Sequence, residues 1–219
     1  MPLSKSANHN AAAAYQRLCV LSVFATTALT PFHAAFAGGE IFNPVSIMWV
    51  DGISGNGQYV AGSRLDDDGN FRAVMYSDGV STDIGGLFGG PYNDTEAYAV
   101  SNGGTVTGHA RNSTGTYNAF RWNASRGIEN LGTLTGTSGV NDMSAGLSIS
   151  NDGTRIVGHS SKTGSGQFAF AWIEGATTGV ANNRQMYELG GLSAGEISFA
   201  NNISGNGNYA VGGAMVGGL

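Results

Sequence analysis

Ile149-Ser-Asn-Asp-Gly-Thr-Arg-Ile-Val-Gly158 is one of four similar stretches that decide the fold of this 219-residue chain. The same pattern begins again at Ile53, Val100 and Ile203. A unit of roughly fifty residues therefore occurs three times and begins a fourth time. Repeats of this period are typical of units that cannot bury their apolar faces alone and must stack on neighbours. The repeat predicts a tandem architecture.

Within each unit, short runs of β-forming residues alternate with turn residues. In the second copy we predict strands at 97–100, 105–109, 118–122 and 128–131, separated by turns rich in asparagine and glycine. Four antiparallel strands in so short a unit have the size of a propeller blade. We therefore expect an all-β fold of tandem four-stranded antiparallel blade-like repeats. It would be an incomplete propeller-like arrangement of three units and a partial fourth.

The predicted units span about residues 46–92, 93–138 and 139–195, and the partial fourth spans 196–219. The third unit is longer because about eight residues around 176–184 are inserted in its last hairpin, and such insertions lie in loops. If one loop makes a contact specific to this protein, this insertion is the first candidate. The structural positions that recur between units are Gly57, Gly62, Tyr76, Gly108, Phe120, Trp122, Gly132, Gly158, Phe170, Trp172, Gly190 and Gly212.

Residues 1–37 have the pattern of a secretory signal peptide. Two basic residues are followed by an apolar stretch at 18–29, and Ala35-Phe-Ala37 is a small-residue cleavage site. The apolar stretch is too short to span a bilayer core of about 30 Å. We expect cleavage after this segment and an exported β-repeat domain at 38–219, located outside the cell, on its surface or in the periplasm.

Composition narrows the classes of function. The formal net charge of −5 argues against nucleic acid and against anionic lipid as partners, because both require a basic surface. The one cysteine, Cys19, lies in the predicted signal peptide, so the exported domain would contain no disulfide. The 36 glycines and 4 prolines suit tight hairpins rather than a disordered stalk. No cofactor is predicted.

The order of three motifs resembles the bacterial extracellular repeat named HAF after its His-Ala-Phe signature. In the second copy the first two motifs are Ala119-Phe-Arg-Trp122 and Leu131-Gly-Thr-Leu134, and the Ile-Ser-x-x-Gly stretch of the next unit follows. The resemblance runs from about Met48 to Gly213. The signature histidine is replaced in the three copies by Arg72, Asn118 and Phe168. This departure weakens any role for that histidine.

The resemblance implies an exported protein with a surface or extracellular role. Some members of that family are joined to an outer-membrane autotransporter barrel. A barrel needs many lipid-facing strands of about ten alternating residues, and none follow the repeats, so we expect no transmembrane barrel in this chain. The resemblance implies no catalytic residues.

Gly191-Leu-Ser-Ala-Gly195 matches the G-x-S-x-G pattern of a serine nucleophile. That motif requires a following helix and a histidine further along the chain. Neither follows Ser193, so we interpret this segment as the end of a repeat.

His109 and His159 occupy equivalent positions in two units, directly after Gly108 and Gly158. Two imidazoles in adjacent blades could begin a metal site. The matching positions in the other copies are Ser63 and Gly213, so two half-exposed polar residues on strands are the favoured interpretation.

Asp66, Asp68 and Asn70 resemble part of a calcium loop, with oxygen ligands around a glycine. Serine stands where an EF-hand requires its twelfth-position acid, and the matching hairpins carry no acids. A solvated hairpin tip is favoured, and this tip remains the best candidate for a metal.

The recurring aromatic residues Tyr76, Trp122 and Trp172 could form a stacking platform for sugars. Each follows a phenylalanine or a valine at the same point of its unit, which favours a packing layer between blades.

The leading hypothesis is a non-catalytic exported repeat protein that binds a surface protein or a glycan, as a cell-surface or autotransporter-passenger segment. A segment truncated from a longer protein is a further form of this hypothesis. The alternative is a secreted carbohydrate-binding protein or carbohydrate-active enzyme on the same propeller scaffold. We expect no enzyme and no catalytic residues.

Overall fold

The computed structural model describes residues 49–88, 93–136, 142–162, 166–192 and 197–215. Within these ranges the chain forms strands and no helix, so no helix there could cross a membrane. The strands are β1 (Trp49–Ile53), β2 (Val60–Leu65), β3 (Phe71–Ser77), β4 (Val80–Asp83), β5 (Thr95–Val100), β6 (Val106–Arg111), β7 (Tyr117–Asn123), β8 (Gly127–Gly132), β9 (Ser144–Ile149), β10 (Arg155–Ser161), β11 (Gln167–Ile173), β12 (Met186–Glu188), β13 (Ser198–Ile203) and β14 (Ala210–Ala214).

These strands form four antiparallel sheets in chain order. Sheets 1, 2 and 3 contain β1–β4, β5–β8 and β9–β12, and sheet 4 contains β13 and β14. In every sheet consecutive strands are hydrogen-bonded neighbours, which is the arrangement of a propeller blade. The predicted fold class is confirmed. The sheets do not close into a ring through pairing of the described strands.

Successive sheets stack through their first strands. β5 packs on β1, β2 and β3 of sheet 1, β9 packs on β5, β6 and β7, and β13 packs on β9, β10 and β11. The first strands therefore lie beside one another along one side of the stack. That side, formed by β1, β5, β9 and β13, is termed the inner edge.

The aromatic positions of the repeat lie in the layers between sheets. Phe120 and Trp122 are buried in the cluster shared by sheets 1 and 2, and Phe170 and Trp172 are buried in the cluster shared by sheets 2 and 3. Tyr76, the equivalent residue of sheet 1, is half-buried. Burial of large aromatic side chains is a main source of stabilisation in a chain with so much glycine.

The Ile-Ser-x-x-Gly stretch forms the turn after each first strand. In all four copies the serine Oγ accepts a hydrogen bond from the backbone N–H at the start of the next strand, at 3.0–3.1 Å. The turns also connect the units. The N–H of Asn102 donates to the carbonyl of Asn151 at 3.0 Å, and the N–H of Asn151 donates to the carbonyl of Gly205 at 2.8 Å.

Each first strand contains a β-bulge at the same place. The register shifts by one residue, so that Asp51, Tyr98, Leu147 and Asn201 have no partner opposite them in the strand pairing. The bulge explains a recurring glycine of the repeat. A Cβ on Gly108, Gly158 or Gly212 would lie 1.8–1.9 Å from the carbonyl oxygen of the residue two positions before the bulge. Only glycine fits where two backbones approach this closely.

A second recurring glycine lies beside a serine that joins neighbouring sheets. Ser198 Oγ accepts a hydrogen bond from the Ala169 N–H at 2.9 Å and donates to the Gly190 carbonyl at 2.7 Å. Ser144 makes the same pair of bonds to Ala119 and Gly132 of sheet 2. Gly132 and Gly190 have φ angles of +72° and +76°, a conformation that favours glycine.

The insertion in the third unit attaches sheet 3 to sheet 2. The buried Asn183 amide donates to the carbonyls of Leu131 at 2.7 Å and Thr133 at 3.2 Å. Asn182 donates to the carbonyl of Thr135 at 3.3 Å. The loop that the sequence singles out thus makes its described contacts within the chain.

Candidate binding cleft at the inner edge

The residue at the bulge differs between the four sheets, although the sheets otherwise repeat one another. The strand ends in isoleucine or valine two residues after each bulge, whereas the bulged residues are Asp51, Tyr98, Leu147 and Asn201. Asp51 and Asn201 are exposed, and Tyr98 and Leu147 are half-buried. Bulges are common beside functional sites because they redirect a side chain. The inner edge is therefore the first place to look for function.

A cleft of about 260 Å³ opens between the inner ends of sheets 1 and 2. Its wall from sheet 1 includes Trp49, whose ring is 5.1 Å from that of Phe71 between centroids, and Trp49 is 43% exposed. The residues that line the cleft are Trp49, Asp51, Ser63, Phe71, Glu96 and Tyr98.

Hydrogen bonds fix the sheet 2 side of the cleft. The Tyr98 hydroxyl lies 3.3 Å from Glu96 Oε2 and 3.1 Å from His109 Nδ1. His109 Nε2 lies 3.5 Å from Glu96 Oε1, and its ring packs edge-on against Tyr117 at 4.7 Å. The cross-strand pairing of Glu96 with His109 places these groups together. Their mutual contacts hold Glu96 and Tyr98 in place at the cleft.

Asp94 connects this network to the opposite wall. Its carboxylate accepts hydrogen bonds from the Phe71 N–H at 3.1 Å and from the Tyr117 hydroxyl at 3.1 Å. Arg111 lies 3.6 Å from the same carboxylate. The start of β3, and with it the Phe71 ring, is thereby positioned by sheet 2.

The electrostatics of the cleft are negative. The hydrogen bond from His109 lowers the pKa of Glu96 despite its partial burial, so Glu96 is ionised at neutral pH. Burial raises the pKa of Tyr98 strongly, and the negative charges of Glu96 and Asp51 raise it further. Tyr98 is therefore a neutral hydroxyl beside the Glu96 carboxylate. This combination suits binding of a polar or cationic group better than proton transfer near neutral pH.

The two equivalent histidines have different surroundings. His109 belongs to the network behind the cleft, whereas His159 packs edge-on against Phe199 of sheet 4 at 5.5 Å. Burial lowers the pKa of His159, and the nearby His109 adds to the effect. Within the described residues, no three His, Cys, Asp or Glu side chains are grouped so that they could hold a metal ion.

The acidic hairpin tip at 66–70 is held by hydrogen bonds within its own turn. Asp66 Oδ1 accepts the N–H groups of Asn70 at 2.8 Å and Asp68 at 3.0 Å, and these bonds lower the pKa of Asp66. In sheet 2 the neutral Asn112 makes the same turn, since its amide oxygen accepts the N–H groups of Thr114 and Thr116. The acid at this tip therefore has a structural role that an amide also fulfils.

The recurring tryptophans are not available to a sugar. Trp122 is 6% exposed and Trp172 is 3% exposed. The Trp172 ring lies under the guanidinium of Arg121 at 4.7 Å, and Arg121 is itself 2.9 Å from Glu174 of sheet 3. These aromatic residues pack between sheets.

Sequence reasoning missed the residues of the cleft. Trp49 and Asp51 precede the first recognised motif, and Glu96 and Tyr98 lie in a strand whose bulge the sequence does not indicate. One signal could have revealed them. When the four first strands are aligned on Ile53, Val100, Ile149 and Ile203, the residue two positions earlier differs in chemical type in every copy. The signal peptide and Ser193 lie outside the described residues.

Comparisons with known proteins bear on the fold alone. The structure is similar to TolB from Acinetobacter baumannii, with a TM-score of 0.51 and 18% identity over 78% of this chain and 39% of that chain. It is also similar to a putative TolB from Agrobacterium tumefaciens, with a TM-score of 0.49 and 15% identity over 76% of this chain and 58% of that one. The chain thus spans less than two thirds of either. No protein-family model matches the chain, and no curated protein matches its sequence.

Proposed function

We propose that this chain is a non-catalytic exported repeat protein that binds a partner protein along the inner edge of its sheets. The observation that supports it is the set of bulges. Asp51, Tyr98, Leu147 and Asn201 occupy equivalent points of a repeated and hydrogen-bonded scaffold. Binding residues on a rigid frame keep their geometry and lose less conformational entropy on association.

The chemistry of the cleft supports binding rather than turnover. Ser63 Oγ accepts a hydrogen bond from the Ala97 N–H at 3.2 Å, so this hydroxyl is used in joining sheets 1 and 2. Glu96, Tyr98 and His109 are bonded to one another and hold the wall of the cleft. A nucleophile would need a hydrogen-bonded base that a third group orients. Tyr98, His109 and Glu96 form such a chain, but burial and the neighbouring carboxylates raise the pKa of Tyr98, which disfavours its use as a nucleophile near neutral pH.

Export is part of the proposal and rests on the pattern of residues 1–37. N-terminal sequencing of the protein from the envelope and from the medium of the producing cells tests it. A chain that starts at Gly38 supports export, and a full-length chain in the cytoplasm contradicts it. The proposal has two more specific forms. In one, the chain acts at the cell surface or as an autotransporter passenger, and in the other it is related to the HAF repeats.

Site-specific photo-crosslinking in the producing cells tests the inner edge as the binding side. A photoreactive phenylalanine analogue is placed at Leu147 or Asn201, and in a control at the exposed Ser81 of the outer strand β4. We expect a discrete adduct with one protein from the two inner positions and none from Ser81. Adducts from Ser81 alone, or from no position, would overturn the proposal.

A carbohydrate-binding function has one observation in its favour, the exposed Trp49 ring beside Phe71 in the cleft. A glycan array compares the native chain with Trp49→Ala. A glycan signal that disappears in the variant would replace the protein partner by a sugar. Substrate turnover that Glu96→Gln abolishes would instead identify a carbohydrate-active enzyme.

A further inference from the structure

We propose that the cleft between sheets 1 and 2 binds a guanidinium or ammonium side chain of the partner protein. This inference rests on the proposed binding function and specifies which group the inner edge recognises.

The first support is charge. Of the six described residues that line the cleft, Asp51 and Glu96 are acidic and none is basic. Behind the lining, the His109 ring contacts Glu96, and Arg111 lies 3.6 Å from the Asp94 carboxylate. The lining therefore carries an excess of negative charge, in a chain whose formal net charge is already −5. Such a field attracts cationic groups and raises their rate of association.

The second support is the aromatic content of the same walls. Trp49, Phe71 and Tyr98 supply three rings around the cleft, and Trp49 presents much of its surface to solvent. A cation within about 6 Å of an aromatic ring is attracted to its face, most strongly by tryptophan. Carboxylates beside aromatic rings are the combination that favours an organic cation over a hydrated metal ion.

The third support is size. The cleft has a volume of about 260 Å³. This is just below the range of about 300–1,000 Å³ found for drug-sized ligands. It fits one long side chain rather than several sugar rings. The two cleft walls come from different sheets, so their separation is set by the stacking of the whole scaffold.

A pair of matched probes tests the charge requirement. N-acetyl-L-arginine amide and its neutral isostere N-acetyl-L-citrulline amide are titrated into the purified protein as the cells produce it, and backbone and indole ¹H–¹⁵N shifts are followed. We expect saturable shifts at the Trp49 indole and along β1 and β5 with the arginine probe. Binding of the citrulline probe should be about fivefold weaker, because an exposed ion pair contributes up to about 1 kcal/mol.

Variants locate the site. Asp51→Asn and Glu96→Gln should each weaken the arginine probe about three- to fivefold. Asp78→Asn is the matched control, since it removes one exposed carboxylate at the outer β3–β4 turn, where asparagine tolerates the φ of +50°. Raising the salt concentration on the native chain from about 0.02 M to about 0.5 M should also weaken binding, which tests charge without any substitution.

Equal binding of arginine and citrulline probes, or equal effects of Asp78→Asn and Asp51→Asn, would overturn the inference. Shifts with glucosamine but none with the arginine probe would also overturn it, in favour of an amino sugar. Failure of the proposed function looks different. If the arginine probe binds the cleft but Leu147 and Asn201 give no crosslinks, the cation site stands and the protein-binding edge does not. Crosslinks without arginine binding give the reverse result.

Discussion

Replacing Gly158 by alanine tests whether the bulge in β9 requires a glycine at the facing position of β10. The new Cβ would lie 1.9 Å from the carbonyl oxygen of Ala145 and 3.2 Å from the Cα of Gly146. A carbon–oxygen contact normally needs about 3.3 Å, so the two strands must separate by roughly 1.4 Å. Both atoms that obstruct the Cβ are backbone, and Gly158 is buried in the second strand of sheet 3. No side-chain rotation can relieve the contact.

The magnitude follows from three effects. Overpacking of a close-packed interior costs about 1–3 kcal/mol, and each ladder hydrogen bond lost at the bulge costs about 1 kcal/mol more. The lower entropy of the unfolded chain offsets about 0.4–1 kcal/mol. We expect Gly158→Ala to lower the free energy of unfolding by about 2–4 kcal/mol and the Tm by about 5–15 °C.

Gly213→Ala is the matched control. Gly213 lies in β14, its φ is not positive, and a Cβ there would meet no atom within 4 Å. Its substitution should change the free energy of unfolding by less than about 1 kcal/mol, in the stabilising direction. Urea unfolding of both variants, followed by circular dichroism, measures the difference. Equal midpoints for Gly158→Ala and the native chain would refute the bulge as the cause of the repeated glycine.

Three further predictions concern contacts between sheets and pH. Asn183→Ala leaves two buried carbonyls without their donor and should lower the free energy of unfolding in urea by about 2–3 kcal/mol. The exposed control Asn182→Ala should lower it by less than about 1 kcal/mol, and similar values for the two variants would contradict the role of Asn183. Ser198→Ala removes the two hydrogen bonds by which Ser198 joins sheet 4 to sheet 3 and should lower the free energy of unfolding by about 1–2 kcal/mol. The exposed control Ser81→Ala should lower it by less than about 0.5 kcal/mol, and a near-neutral Ser198→Ala would be inconsistent with this connection. Because burial lowers the pKa of His159, its stabilising effect is present above pH 6.5 and is lost as the pH falls from there through the folded-state pKa. Denaturant titrations between about pH 7 and pH 5 should therefore show a weaker pH dependence for His159→Gln than for the native chain, and an unchanged dependence would count against burial as the cause.

The sequence predicts the sheets well because their turns are encoded locally. The third strand of the second unit, predicted at 118–122, is observed as Tyr117–Asn123, since asparagine and glycine at both ends limit it. Recurrence of Trp122 and Trp172 then identifies the residues that pack between sheets. Local signals of this kind depend on a few neighbours along the chain.

The cleft could not be predicted because it depends on contacts between units. A bulge such as that at Tyr98 changes the direction of a side chain without any distinct sequence pattern in its own strand. The bulge requires a glycine in the facing strand, Gly108. Glycine is also common in the tight turns of this chain, so Gly108 alone does not reveal the bulge. Likewise, the Asp66 tip looks like a cation site in sequence, and only the geometry shows its carboxylate accepting backbone N–H groups.

The central claim is that the units stack about a shared inner edge, since only in that arrangement does the cleft exist and do the bulged residues lie along one side. Amide hydrogen exchange at Asn56, Asn102 and Asn151 tests it most directly, because each N–H group donates to the turn of the next unit. The account predicts protection at all three amides, well above that of a free turn. Rapid exchange at these turn amides, with protected strands, would show separate sheets and contradict the account.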